Sequence, residues 1–198
     1  MVTAPNQHPM SVEEYFELDR VTPDGKYEYY DGFVRLMAGG TNQHSIVCAN
    51  TITALNIALR GSGCRTFTSD ARVQLSPRRY VYPDVTVSCD PKDLREPLPI
   101  RSPRVAFEVL SPSTASFDRN KKSNMYRACS TIEAFVLIDP LQLSVEVFQR
   151  DGVFWHHFPY NTPDAIVEIT PLGVHIPIAE FYQDIELPPE LPLPDSQP

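Results

Sequence analysis

Two acidic side chains stand where β-strands leave little room for charge. Asp84 lies in YVYPDVTVSCD, residues 80–90, directly after Pro83, and Glu108 lies in RVAFEVLSPST, residues 104–114. Alternation along the second stretch puts Val105, Phe107 and Val109 on one face, with Arg104, Ala106, Glu108 and Leu110 on the other. A lone ionised carboxylate on such a strand is costly, or takes up a proton, unless a cation sits beside it. Oxygen donors from Asp and Glu suit a hard cation such as Mg²⁺. Either acid alone reads as a salt bridge, with Arg78, Arg79 or Arg104 as partner. Two acids on consecutive strands, followed by a basic helix, point to one shared ion.

That helix is STASFDRNKKSNMYRAC, residues 113–129. Asp118, Lys122 and Tyr126 recur every fourth residue and so line one face. Met125 and Cys129 lie beside the stripe, which turns it partly inward and leaves Lys121 toward solvent. A lysine on this helix can reach over an ion held by the preceding strand. Tyr126, Trp155 and the Phe and Tyr set read as core rather than as acting groups or a base-stacking platform.

These residues need elements to position them. SVEEYFELD has the capping-box spacing of Ser11 and Glu14 and opens a short helix. KYEYYDGFVRLMA is a hairpin around Asp31 and Gly32. NQHSIVCANTITALNIALRG has apolar residues at helical spacing, with Gly61 placed as its C-terminal cap. Strands are expected at 64–75, 81–89 and 103–110, with a Pro-rich loop over 90–102. IEAFVLID is a buried strand, SVEVFQRDGVFWHHF a second hairpin, and AIVEIT and GVHIPI short strands. AEFYQDI is expected to make one helical turn. This order predicts an α/β (α+β) fold, a mixed sheet with helices against it. Residues 1–187 are expected to form a single domain, and 188–198 a Pro-rich tail.

The chain has 198 residues, 42% apolar and 21% charged, enough for a real core. No apolar run approaches the ~18 residues that span a bilayer, and the first residues lack a signal-peptide pattern, so no membrane association and a cytoplasmic setting are expected. The four cysteines lack metal-site spacing and are expected to pack as small apolar residues rather than form a disulfide. Net charge is −8, yet residues 60–127 carry 13 basic against 7 acidic side chains. That basic third contains both odd acids, and Arg60, Arg65, Arg72, Arg78 and Arg79 are its candidate phosphate contacts. A solvated basic surface explains the same residues equally well.

YEYYDG, His44, YPDVTV, FEVLSPSTASFDRNKKSNMY and IEAFVLIDP, in that order, resemble the Uma-two type family of restriction-endonuclease-like proteins in the PD-(D/E)xK superfamily. The likeness runs over about residues 11–185. It implies a restriction-endonuclease-like core, a central mixed sheet flanked by helices, here with added hairpins. It also implies Mg²⁺-dependent hydrolysis of DNA phosphodiesters, with Mn²⁺ as a substitute ion, by a protein expected to act as a homodimer. Asp84 matches the metal-binding aspartate, Glu108 the second acid, and Glu28 an acid that joins them from the N-terminal part. The usual lysine slot, two residues after the second acid, holds Leu110. Lys122 is the matching position on the next helix, with Lys121 its rival. His44 matches a recurrent histidine and is grouped with Arg72, Arg78 and Arg79 as substrate-binding. The alternatives are a non-catalytic nucleic-acid- or protein-binding module on the same fold, a dimerising structural protein, or another metal-dependent hydrolase.

Overall fold

Ser11 caps the first helix, α1 (Val12–Val21): its hydroxyl accepts the Glu14 N–H, and the Glu14 carboxylate accepts the Ser11 N–H in return. The computed structural model describes residues 9–22, 25–37, 39–95 and 99–188. The first hairpin pairs β1 (Tyr27–Tyr30) with β2 (Phe33–Leu36). Its turn is formed by Asp31 and Gly32, both at positive φ. The long helix α2 (Asn42–Ala58) starts at Thr41, whose hydroxyl accepts the His44 N–H. Gly61 follows the helix at φ +78°, where an L side chain is disfavoured.

The strand expected over 64–75 is two strands, β3 (Arg65–Thr68) and β4 (Val73–Ser76). The turn between them is held by the Thr68 hydroxyl, which accepts the Asp70 N–H. The next stretch is also broken, into β5 (Arg79–Val81) and β6 (Val85–Ser88). Asp84 therefore lies in the bend between two strands rather than inside one. Pro83 supplies the reason, because it has no N–H to give to a ladder.

Beyond these come β7 (Pro103–Val109), a composite helix and β8 (Ala134–Asp139). The helix has three parts: α3 (Ala115–Phe117), a π-helical turn over Asp118–Lys122, and α4 (Ser123–Ala128). Then follow the hairpin β9 (Ser144–Asp151) and β10 (Phe154–Tyr160), and the pair β11 (Ile166–Ile169) and β12 (Val174–Pro177). A 3₁₀ segment, Ile178–Tyr182, stands where one helical turn is expected. The expected tail, from residue 189 on, lies outside the described residues.

Six strands form the central sheet in the order β10-β9-β8-β7-β6-β3, and β2-β1-β5-β4 form a second sheet. Only the β7–β8 pair of the six is parallel, joined by the crossover through α3 and α4, so the sheet is mixed as expected. The chain passes from the second sheet to the first at Tyr82-Pro83-Asp84. Alternation along β7 holds as read. Val105, Phe107 and Val109 join the core under α2, with Val47, Leu55 and Leu59. Ala106 and Leu110 join the opposite core, with Met125, Tyr126 and Ile132 beneath α4. Glu108 shares that second face.

One expectation about the cysteines is overturned. Cys64 and Cys89 flank the β3–β6 pairing of Arg65 with Ser88, and they are bonded as a disulfide with Cα atoms 3.9 Å apart. A sequence separation of 25 hides this pairing, since it exists only once β6 folds back on β3. Cys48 and Cys129 are free. Among the described residues no helix is long and apolar enough to cross a membrane.

Gly32 fixes how the first hairpin sits. The Met10 N–H donates to its carbonyl at 2.9 Å, and a Cβ added at its φ of +101° would lie 2.4 Å from the Pro9 Cβ. Gly32→Ala is expected to cost about 1–3 kcal/mol in urea unfolding. Gly39→Ala, where an added Cβ meets nothing within 4 Å, is the control and should stay within about 0.5 kcal/mol.

Candidate active site

Four separate segments carry acids to one cleft. Glu28 comes from β1, Asp84 from the bend before β6, Glu108 from β7 and Asp118 from the π-helical turn. All four line one cleft, together with Lys122, His44, Arg35 and Ser111. Its depth is the reason for its chemistry: Glu28, Glu108, Asp118 and Lys122 are all buried.

The centre is the Lys122 ammonium. Its Nζ lies 2.9 Å from Glu28 Oε1, 3.0 Å from Glu108 Oε1 and 3.8 Å from Asp118 Oδ1. Burial alone would favour the neutral amine, but Glu108, Glu28 and the aspartates overturn that and hold the Lys122 pKa above its ordinary value. The opposite balance holds for Glu108, where burial dominates. Its pKa is raised well above the usual carboxylate range, with Lys122 opposing and the neighbouring acids adding to the rise. Asp118 is raised too, chiefly by burial.

The second contacts fix each acid in place. The Tyr126 hydroxyl donates to Glu108 Oε1, in a pair that is fully enclosed, and burial followed by the Glu108 charge holds the phenol protonated. The Tyr82 N–H donates to Glu28 Oε1 at 3.2 Å, which ties β1 to the bend carrying Asp84. The Val109 N–H donates to Asp84 Oδ2 at 2.8 Å, so Asp84 closes the end of the β6–β7 pairing. His44 Nε2 lies 3.3 Å from the same Asp84 oxygen, and His44 Nδ1 lies 3.6 Å from Cys48 Sγ. The bond to Asp84 outweighs burial and raises the His44 pKa.

Among the described residues, ligand atoms of His44, Cys48 and Asp84 lie within 4.8 Å of one another, whereas Glu28, Asp84 and Glu108 do not gather that closely as a set. Glu28 and Glu108 engage the protein through Oε1, and Asp84 through Oδ2. Among the described residues, Glu28 Oε2, Glu108 Oε2 and Asp84 Oδ1 accept no hydrogen bond. Carboxylate oxygens left free in an acid-lined cleft are hard donors of the kind Mg²⁺ or Mn²⁺ takes.

The structure thus brings Glu28, Asp84, Glu108, Lys122 and His44 together and leaves Lys121 exposed. It does not bring Arg72, Arg78 or Arg79 there, and neither Arg60 nor Arg65 lines the cleft. Arg72 is paired with Asp19 at 2.7 Å and packs over Tyr15 and Phe16. Arg79 is paired with Asp31 at 2.8 Å, and Arg78 is exposed beside it on the far end of the hairpin. Their partners lie some 50 residues away in sequence, beyond the reach of spacing arguments. Arg35 is the arginine that lines the cleft, and its signal was its strand: β1–β2 pairing sets it opposite Glu28. Asp118 and Tyr126 were visible only as a helical stripe; their contacts with Lys122 and Glu108 make them part of the cluster.

Comparison with known proteins is consistent across sequence and structure. The family model Uma2, described as "Putative restriction endonuclease", matches residues 12–179. An uncharacterized protein of Synechocystis sp. is 29% identical over 178 residues, covering 89% of this chain and 93% of its own. A second uncharacterized Synechocystis protein is 27% identical over 146 residues, covering 72% of this chain and 82% of its own. In three dimensions the chain resembles a crystal structure from Anabaena variabilis described as "a putative nuclease belonging to DUF820". The TM-score is 0.71 at 20% identity, over 87% of this chain and 97% of the other, and this shows a shared fold.

Removing the ammonium should expose how much the cluster depends on it. Lys122→Met leaves buried carboxylates without a counter-charge and is expected to cost about 3 kcal/mol or more. Without Lys122, Glu108 keeps its proton to still higher pH than the unfolded chain does. Folded protein then binds more protons above the ordinary carboxylate range, so stability falls as pH rises there. The deficit, read from denaturation curves, should therefore be larger at about pH 8 than at about pH 5.

Proposed function

This chain belongs to the Uma2 family, and from that premise we propose that it is a metal-dependent endonuclease that hydrolyses phosphodiester bonds of DNA at the Asp84–Glu108 cleft. One observation carries the reading: a single buried ammonium stands among acids from four segments, with a free oxygen left on each of Glu28, Asp84 and Glu108. Asp84 and Glu108 are the residues that would hold the ion, with Glu28 completing the set. A bound Mg²⁺ or Mn²⁺ supplies a Lewis acid that lowers the pKa of water and screens charge on a phosphate oxygen.

The chain's own groups do the rest. Tyr126 fixes Glu108 by donating its hydroxyl, and the Val109 N–H fixes Asp84, so both carboxylates are oriented before substrate arrives. Lys122, kept protonated, offers a point charge to the negative charge that develops on phosphate. His44 Nε2 faces the Asp84 carboxylate, and that contact favours a protonated imidazole beside the acid. Arg35, at the edge of the cleft, can bind a non-bridging phosphate oxygen.

The same ammonium supports one other reading, a non-catalytic binding module in which Lys122 alone neutralises the acids. A nuclease assay separates the two. With plasmid and single-stranded DNA and Mg²⁺ or Mn²⁺, wild type is expected to cut and EDTA to stop it. Asp84→Ala and Glu108→Ala should each lower the rate by at least about 10²–10³-fold, in the range for loss of a group that stabilises transition-state charge. Cutting that survives EDTA or either substitution overturns the proposal, and no cutting by folded wild type under any condition favours the binding module.

A further inference from the structure

The hairpin that delivers Glu28 does more than deliver an acid. Register pairs Glu28 with Arg35 and Tyr30 with Phe33. The two-residue period of each strand puts these four side chains on one face. That face begins in the cleft, which Glu28 and Arg35 line, and ends outside it in aromatic rings. Tyr30 and Phe33 stack with centroids 6.2 Å apart, and Phe117 lies 5.5 Å from Tyr30. Cations sit on these rings. The Arg35 guanidinium is 4.2 Å from the Phe117 centroid, and Lys121 Nζ is 4.4 Å from Tyr30 and 5.4 Å from Phe33.

Two features make this more than an ordinary surface. Phe33 is 61% exposed, so its ring is held in water by the hairpin rather than buried. Neither Arg35 nor Lys121 has a carboxylate within salt-bridge distance among the described residues, in a chain of net charge −8. Tyr30 and Phe117 are partly buried and back the exposed Phe33, and an exposed ring flanked by unpaired cations is what an unpaired nucleic-acid strand binds: a base stacks on the ring and phosphates meet the cations. A duplex offers only groove edges and backbone, because its base faces are already stacked.

We propose that the rim formed by Tyr30, Phe33, Arg35, Phe117 and Lys121 binds an unpaired stretch of a DNA strand and feeds it to the cleft. A base stacks on Phe33, and flanking phosphates lie on Lys121 and Arg35. The inference rests on the nuclease reading for its choice of ligand, and it names the substrate class as single-stranded or locally opened DNA.

The test is binding without cleavage. Fluorescence anisotropy in EDTA would compare a labelled oligothymidylate with a blunt duplex of equal length. Wild type is expected to bind the single strand at least about tenfold more tightly. Phe33→Ala should weaken that binding about tenfold, and Phe33→Trp should keep it. Lys121→Ala should flatten the slope of log affinity against log salt by about 0.7. Phe154→Ala removes a ring that is 71% exposed on β10 and should change nothing. Tighter binding to the duplex, or unchanged single-strand binding by Phe33→Ala, overturns the proposal. Metal-dependent cleavage, run in parallel, separates the two claims. If cutting needs Asp84 and Glu108 while Phe33→Ala binds normally, the rim fails and the nuclease stands. If nothing is cut while binding still depends on Phe33, the nuclease fails and the rim stands.

Discussion

A buried ammonium shared by carboxylates from separate segments is the constraint around which this protein is arranged. Glu28 and Glu108 each lie within 3.0 Å of Lys122, and none of the three has appreciable contact with water. Moving several charges out of water costs far more than one pairwise attraction returns unless the geometry is good and the other lone pairs are satisfied. Here the geometry is supplied by main-chain and phenol donors: Tyr82 N–H on Glu28, Val109 N–H on Asp84, and the Tyr126 hydroxyl on Glu108. Each donor belongs to a different part of the fold from the acid it serves. The cluster therefore forms only when the hairpin, the sheet switch, the central strand and the crossover helix are all in place.

That dependence explains which parts of the site could be read from sequence. Glu108 was legible because alternation along β7 is strict, and a charge on a strand with apolar residues on both faces has no local explanation. Asp84 was legible as an anomaly, but its setting was misread, since the Pro83 bend passes the chain between two sheets. The arginines were misread for a different reason. A guanidinium finds its partner through space, and Arg72 and Arg79 are paired with Asp19 and Asp31, far off in the chain. Arg35 was passed over because its position opposite Glu28 appears only once the hairpin register is fixed. The Cys64–Cys89 bond was hidden in the same way, by an antiparallel pairing of β3 with β6 that no local pattern announces. The aromatic residues were read as core, which holds for Tyr15, Tyr29, Tyr126 and Phe107 but not for Phe33 or Phe154. Hydrophobicity says that a ring prefers burial, but not whether the fold has room for it.

The displaced lysine follows from packing. Leu110, in the slot two residues after Glu108, is buried and belongs to the core beneath α4 with Met125 and Ile132. A lysine there would have to push an ammonium into that apolar layer. Carried by the crossover helix instead, Lys122 comes down on Glu108 from above and leaves Leu110 to pack. The helix needs a local irregularity to do this. Asp118 and Lys122 open and close a π-helical turn, and both side chains face inward while Lys121 faces water. Such turns are uncommon and concentrate where function demands them, because a widened turn gives up regular backbone bonding. The neighbouring lysines are thereby divided between two tasks. Lys122 is committed to the carboxylates, and Lys121 is left over the half-buried ring of Tyr30 and the exposed ring of Phe33, where among the described residues its charge has no acid within salt-bridge distance. One residue of helical offset separates the group that neutralises the cleft from the group that can attract a strand toward it.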